Sequence, residues 1–273
     1  PITVAFTLER DGGLMETILW SGKRVAASVK GQYQIRQWVP GWRAMALVDQ
    51  TGLYAWSVGS SKVQKVADVG RLLADGDAYF GVSPDGGTLA AYTWANTYLV
   101  DLESRKVILK IPTKSLEKLA KKELGGFLVK RGIAWSPDGS RVAIAYPAEP
   151  YGGSDDSARG LVIIISKDGK HRVLGRGIPI AWISSEEVLV AREIRGFMKV
   201  TPEILRIGGA SLKSKMEGDN VGWNGMYVLL GNKGTIRVLS KTLKPLTSVS
   251  VPPYGNHKPW LSVLVGIPAG AVL

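Results

Sequence analysis

Apolar positions in this chain fall into short runs, some alternating with polar residues and some continuous, and turn-forming residues separate one run from the next. After Trp135 the order is RVAIAY, which alternates, then LVIIIS, apolar throughout, then the turn KDG, then the polar run KHRVLG. Trp38 is followed in the same way by AMALVDQ, LYAWSV and VQKVAD, and Trp223 by MYVLLG, TIRVLS and LTSVSV. Runs of this length and β-branched content predict strands. The gradient from apolar to wet predicts inner strands covered on both faces and a last strand that borders solvent.

Each group opens on an aromatic residue just before or within a turn. Six such anchors occur, Trp38, Phe80, Trp135, Trp182, Trp223 and Trp260, at spacings of 42, 55, 47, 41 and 37 residues. That period fits a four-stranded unit repeated around an axis. The segment after Trp260, LSVLVGIPAGAVL, is long enough for two strands, and the N-terminal ITVAFTLE and LMETILW form a hairpin with no anchor before it. Residues 2–20 are therefore expected to complete the unit begun at 259–273, closing the ring and removing two strand edges. The expectation is all-β: a six-bladed β-propeller with its chain ends sharing a blade, one domain over residues 1–273.

Two units carry a more specific motif. Ser83-Pro84-Asp85-Gly86 in FGVSPDGGTLAAY and Ser136-Pro137-Asp138-Gly139 in IAWSPDGSRVAIAY both follow an aromatic-ended strand and precede a strand with a bulky residue and Ala. They resemble the TolB-like propeller repeat, and more broadly the WD-repeat-like propellers; the other four units keep only the aromatic and the following apolar strand. The resemblance implies the fold and leaves the activity open, because propellers of this type host binding, peptidase-gating and hydrolytic roles.

The motif residues themselves are turn chemistry. Pro presets φ, Asp bonds its own downstream backbone, and Gly supplies a positive φ, so Asp85 and Asp138 are read as structural. The Trp residues at repeat positions are read as blade anchors. Trp42, Trp56 and Trp94 fall outside that register and are the candidates for exposed protein contacts.

Catalytic patterns are missing. His171 and His257 are the two histidines, neither in a nucleophile setting, and the chain has no G-x-S-x-G elbow, H-E-x-x-H, P-loop or dinucleotide fingerprint. With no Cys, thiolate metal sites, disulfides and cysteine nucleophiles are excluded. The loop GGSDDSARG offers Asp155 and Asp156, too few oxygens for a calcium cage of six or more ligands. We therefore expect no enzyme, no metal and no cofactor. The longest apolar runs fall far short of the roughly 18 residues of a membrane span. The chain starts at Pro1 without a charged segment leading into an apolar one, which fits removal of an initiator Met or of a longer leader; the first is favoured, and with it a cytoplasmic location.

Charge changes the picture most. With 35 basic and 23 acidic side chains the net charge is +12, a balance that favours polyanionic partners. A thermophilic or generally basic proteome carries the same surplus as a solubility feature. Its distribution is uneven. Over residues 101–131, Arg105, Lys106, Lys110, Lys114, Lys118, Lys121, Lys122, Lys130 and Arg131 face Asp101, Glu103, Glu117 and Glu123, nine against four. Within this stretch a helix is predicted at about 113–125, between the third and fourth blades. Thr113 or Ser115 caps it, Leu116, Leu119, Ala120 and Leu124 form its apolar stripe, and Gly125-Gly126 ends it.

The functional expectation is a non-enzymatic interaction scaffold docking on a polyanionic assembly, RNA or ribonucleoprotein, through Lys106, Lys110, Lys114, Lys118, Lys121, Lys122, Lys130 and Arg131. The alternative is a structural or assembly protein, a shell or particle component using propeller faces for protein contacts; a hydrolase or ligand-binding propeller comes third.

Overall fold

The computed structural model describes residues 3–10, 14–21, 24–31, 33–49, 52–57, 59–69, 79–93, 95–120, 132–147, 160–194, 199–232, 234–251 and 265–267. The chain is an all-β propeller whose described part falls into two compact units, Gly70–Lys213 and Pro1–Val69 with Ser214–Leu273.

The middle unit carries three antiparallel four-stranded sheets, each a run of consecutive strands. The first holds β8 (Tyr79–Val82), β9 (Thr88–Tyr92), β10 (Asn96–Asp101) and β11 (Lys106–Pro112); the second holds β12 (Ile133–Trp135), β13 (Arg141–Pro147), β14 (Gly160–Ser166) and β15 (His171–Arg176). The third holds β16 (Ile178–Ser184), β17 (Glu187–Ile194), β18 (Lys199–Arg206) and β19 (Leu212–Lys213). Strands β9 and β14 read as uninterrupted apolar runs because they are covered on both faces: Leu89, Ala90, Ile163 and Ile165 are all buried. One core joins Leu99 and Tyr92 of the first sheet to Val142, Ile144 and Ile163 of the second. Another joins Ala143, Val162 and Ile164 of the second to Val188 and Val190 of the third.

The Trp anchors lock neighbouring sheets through their polar tip as well as their area. The Trp135 indole Nε1 donates to the Gly81 carbonyl at 2.9 Å, and the Trp182 indole Nε1 donates to the Ala134 carbonyl at the same distance. Each innermost strand is thus tied to the one before it, and the buried N–H is satisfied. Outside, Arg141 lies over the Trp182 ring and Lys167 over that of Trp135, at 4.8 and 5.7 Å from their centroids.

The two SPDG turns close as turn chemistry dictates. Gly139 N–H donates to the Ser136 carbonyl, the Ser140 N–H donates to Asp138, and the Arg141 N–H donates to the Ser136 hydroxyl. Ser83, Asp85, Gly86, Gly87 and Thr88 repeat the pattern. Gly86 and Gly139 sit at φ of +82° and +66°, which explains the glycine. Hydrogen bonds from Ser136 first, then from the Ser140 N–H and hydroxyl, hold the Asp138 carboxyl at about 2. A depressed carboxylate pKa contributes stability that is full above its unfolded value and is lost as pH falls through the folded one. Asp138→Asn is therefore expected to melt lower than the parent at neutral pH, the difference closing between about pH 4 and pH 2; thermal melts across that range check it.

The second unit also carries three sheets. Two are consecutive runs: β4 (Gln34–Val39), β5 (Ala44–Val48), β6 (Leu53–Ser57) and β7 (Gln64–Ala67), and β20 (Asn220–Trp223), β21 (Val228–Asn232), β22 (Thr235–Leu239) and β23 (Pro245–Ser250). The other is composite, in the order β24 (Val265–Ile267), β1 (Thr3–Arg10), β2 (Leu14–Ser21), β3 (Arg24–Lys30). Its inner pairing is Thr3 with Ile267, Val4 with Gly266 and Ala5 with Val265. Ala5, Val29 and Ile267 pack with Ile35, Met45, Leu47 and Trp56 of the β4–β7 sheet.

The propeller counts five blades, which corrects the six expected from anchor spacing. Five sheets are runs of four successive strands, whereas the composite sheet draws on both chain ends. Anchor counting treats both kinds as equal units because it sees the aromatic and not whether the strands behind it are continuous in sequence.

Candidate docking flank

The described part of the basic cluster singled out in the sequence lies in the middle unit on β11 and the following helix α1 (Thr113–Ala120), which touches both β11 and the outer strand β15. Sheet order places β11 and β15 at edges. The short helix starts directly where β11 ends and is pinned by Leu116, which is fully buried in the core between the first two sheets. Leu116→Ala is expected to cost about 2–5 kcal/mol in urea unfolding, since nothing small fills that site.

Leu119 departs from the expected apolar stripe: it is 40% exposed and shares the solvent side with Lys114, Ser115 and Lys118. The packed side is narrower than the sequence spacing suggests, because one turn of helix already seats Thr113 and Leu116 against the sheets. Lys106 is exposed and stands opposite Asp101 in the β10–β11 register, and Lys110 leans over the buried Tyr98 ring, its Nζ 5.5 Å from the centroid. The structure thus places Lys106, Lys110, Lys114 and Lys118 along one strand–helix path. Lys121, Lys122, Lys130 and Arg131, with Leu124 and the Gly125-Gly126 stop, lie outside the described residues. On β15 Arg172 is exposed too, but it stands opposite Ile164, whose face packs toward the third sheet. Glu117 is the one carboxylate on these three elements.

The aromatic contact candidates fare differently. Trp56 is fully buried, packed with Met45 and Leu47 and donating from Nε1 to the Ser60 carbonyl at 2.9 Å, so it is removed as a surface contact. Trp42 is half-buried in a 3-10 turn at Pro40–Trp42, and Trp94 lies outside the described residues. His171, the first residue of β15, directs its Nδ1 to the Gly169 carbonyl at 2.9 Å. His257, Asp155 and Asp156 fall outside the described residues. Among the described residues no helix is long and apolar enough to cross a membrane.

No protein-family model matches the sequence, and no curated protein matches it. Solved structures do resemble the chain. TolB from Acinetobacter baumannii superposes with a TM-score of 0.62 at 14% identity, over 98% of this chain and 67% of that one. A putative TolB from Agrobacterium tumefaciens gives 0.52 at 13% identity over 92% and 90%, and a chain of a nidogen/laminin complex gives 0.55 at 11% over 92% and 94%. At these identities the likeness carries the fold alone: the chain has a β-propeller fold with TolB-like structural neighbours.

Proposed function

We propose that this chain is a non-catalytic interaction scaffold, a single propeller domain over residues 1–273 closed by its two ends, that docks on a polyanionic assembly such as RNA or ribonucleoprotein through the basic flank of its middle unit. The observation that carries the reading is the path of exposed Lys106, Lys110, Lys114 and Lys118 along β11 and α1, with Glu117 the one carboxylate on those two elements. An edge strand and the helix that follows it carry these cations on ordered backbone, so each meets one phosphate at little cost in order. The pairing of β1 with β24 supports closure by the chain ends.

The test replaces Lys106, Lys110, Lys114 and Lys118 by Gln, which keeps helix propensity and removes four charges. Binding to a single-stranded RNA probe is expected to weaken, and the slope of log affinity against log salt to fall by about 0.7 per lost contact, roughly 3 in all. Unchanged affinity and slope would take this flank out of the binding site. For the non-catalytic part, His171→Ala with His257→Ala is expected to leave fold and partner binding intact; loss of a measurable hydrolytic activity would promote the enzyme reading.

A further inference from the structure

Each sheet ends on an outer strand, and among the described residues all but one of these strands carry a cation: Lys30 on β3, Lys65 on β7, Lys106 on β11, Arg172 on β15 and Lys213 on β19. The exception is β23, PLTSVS, uncharged and exposed apart from the half-buried Val249. A cation on an edge keeps it from pairing with a second copy, above all in a chain of net charge +12. Strand β23 has no such guard. Its first part is blunted by Pro245 and by a bulge, since Leu239 pairs with Pro245 and Val238 with Thr247, leaving Leu246 over. From Thr247 onward the register with β22 is unbroken. The Val251 N–H donates to the Gly234 carbonyl, so by strand alternation Val249 and Thr247 also bond inward, and the peptide groups of Ser248 and Ser250 face outward.

We propose that β23 pairs antiparallel with β23 of a second copy of this chain, about a two-fold axis at Val249. The segment Thr247–Val251, TSVSV, is self-complementary in that register: Val249 meets Val249 of the second copy, Ser248 meets Ser250, and Thr247 meets Val251. The outward N–H and carbonyl groups of Ser248 and Ser250 then bond to those of Ser250 and Ser248 across the axis. Val249 stands opposite the buried Ile236 on β22, so the pairing extends that apolar row into the second copy. No charge falls in the paired segment. Lys241 and Lys244 precede the strand, and Arg237 lies one strand further in, so the arginines of the two copies stand at least about 14 Å apart, beyond the screening length at physiological salt. So short a contact forms a dimer that depends on concentration. It uses none of the residues on the basic path, so the pairing and the docking reading stand or fall separately.

The experiment follows the molar mass of the full chain by sedimentation equilibrium over a wide concentration range. The parent is expected to rise from monomer toward dimer and no further. Ser248→Lys with Ser250→Lys sets like charges opposite each other across the axis and should weaken the dimer about tenfold or more. Ser248→Glu with Ser250→Lys sets opposite charges there and should restore it. Both positions are exposed and bond outward, so circular dichroism should show both variants folded. A thiol reports the register independently, because the chain has no Cys. Val249→Cys places the two thiols in a pair without backbone bonds, Cα atoms about 4.5 Å apart, and should give a disulfide-linked dimer on mild oxidation. Ser250→Cys separates them by about 8 Å and should not. A parent chain that stays monomeric at every concentration overturns the proposal. So does a dimer that the two Lys substitutions leave unchanged, or one that cross-links equally through both cysteine variants.

Discussion

A chain beginning at Ser21 is expected to be unfolded or aggregated. Truncation there removes β1 and nearly all of β2, which pair with each other along their full length, and β1 also holds β24. Strands β3 and β24 would be left without partners, and two-strand remnants are marginal in water even when joined. The core loses Ala5 and Ile18, both fully buried. Exposed strand edges then template association with other chains. Size-exclusion chromatography and thermal melting check this; a monomer with an unchanged melting temperature would refute the shared sheet at the chain ends.

The second large effect concerns Trp135. Truncation to Ala is expected to cost about 3–5 kcal/mol, as for other buried Trp residues, because it empties a site between the first two sheets of the middle unit. Trp135→Phe keeps most of the area and loses the bond to the Gly81 carbonyl, so about 1–3 kcal/mol is expected. Urea unfolding of both variants should give that order. Equal stabilities would mean that the indole N–H and the ring volume contribute nothing separable.

These contrasts show what was legible in the sequence. Local chemistry was: Ser136-Pro137-Asp138-Gly139 closes within five residues, so its pattern survives in any context, and the bonds of Asp138 are the ones turn rules demand. The anchors Trp135 and Trp182 were legible too, as a period. What depends on neighbours was not. Trp56 falls outside the anchor register and so looked free, yet Met45 stands opposite it on β5 and both are buried. Leu119 sits at helical spacing from Leu116, but spacing cannot say how far the sheets extend beneath a helix. Ile108 reads as one apolar residue in a strand; only the offset between β10 and β11 turns it outward. The blade count failed because it was taken from anchor spacing alone, which gave six where five are found.

The docking account is tested most directly by purifying the native protein at low salt, with and without ribonuclease, and raising the salt in steps. The account predicts that a polyanionic assembly accompanies the chain and leaves it steeply as salt rises from roughly 50 to 200 mM, as release of several counterions requires. A partner that stays bound throughout that range, or a chain that carries no polyanion at low salt, would contradict it.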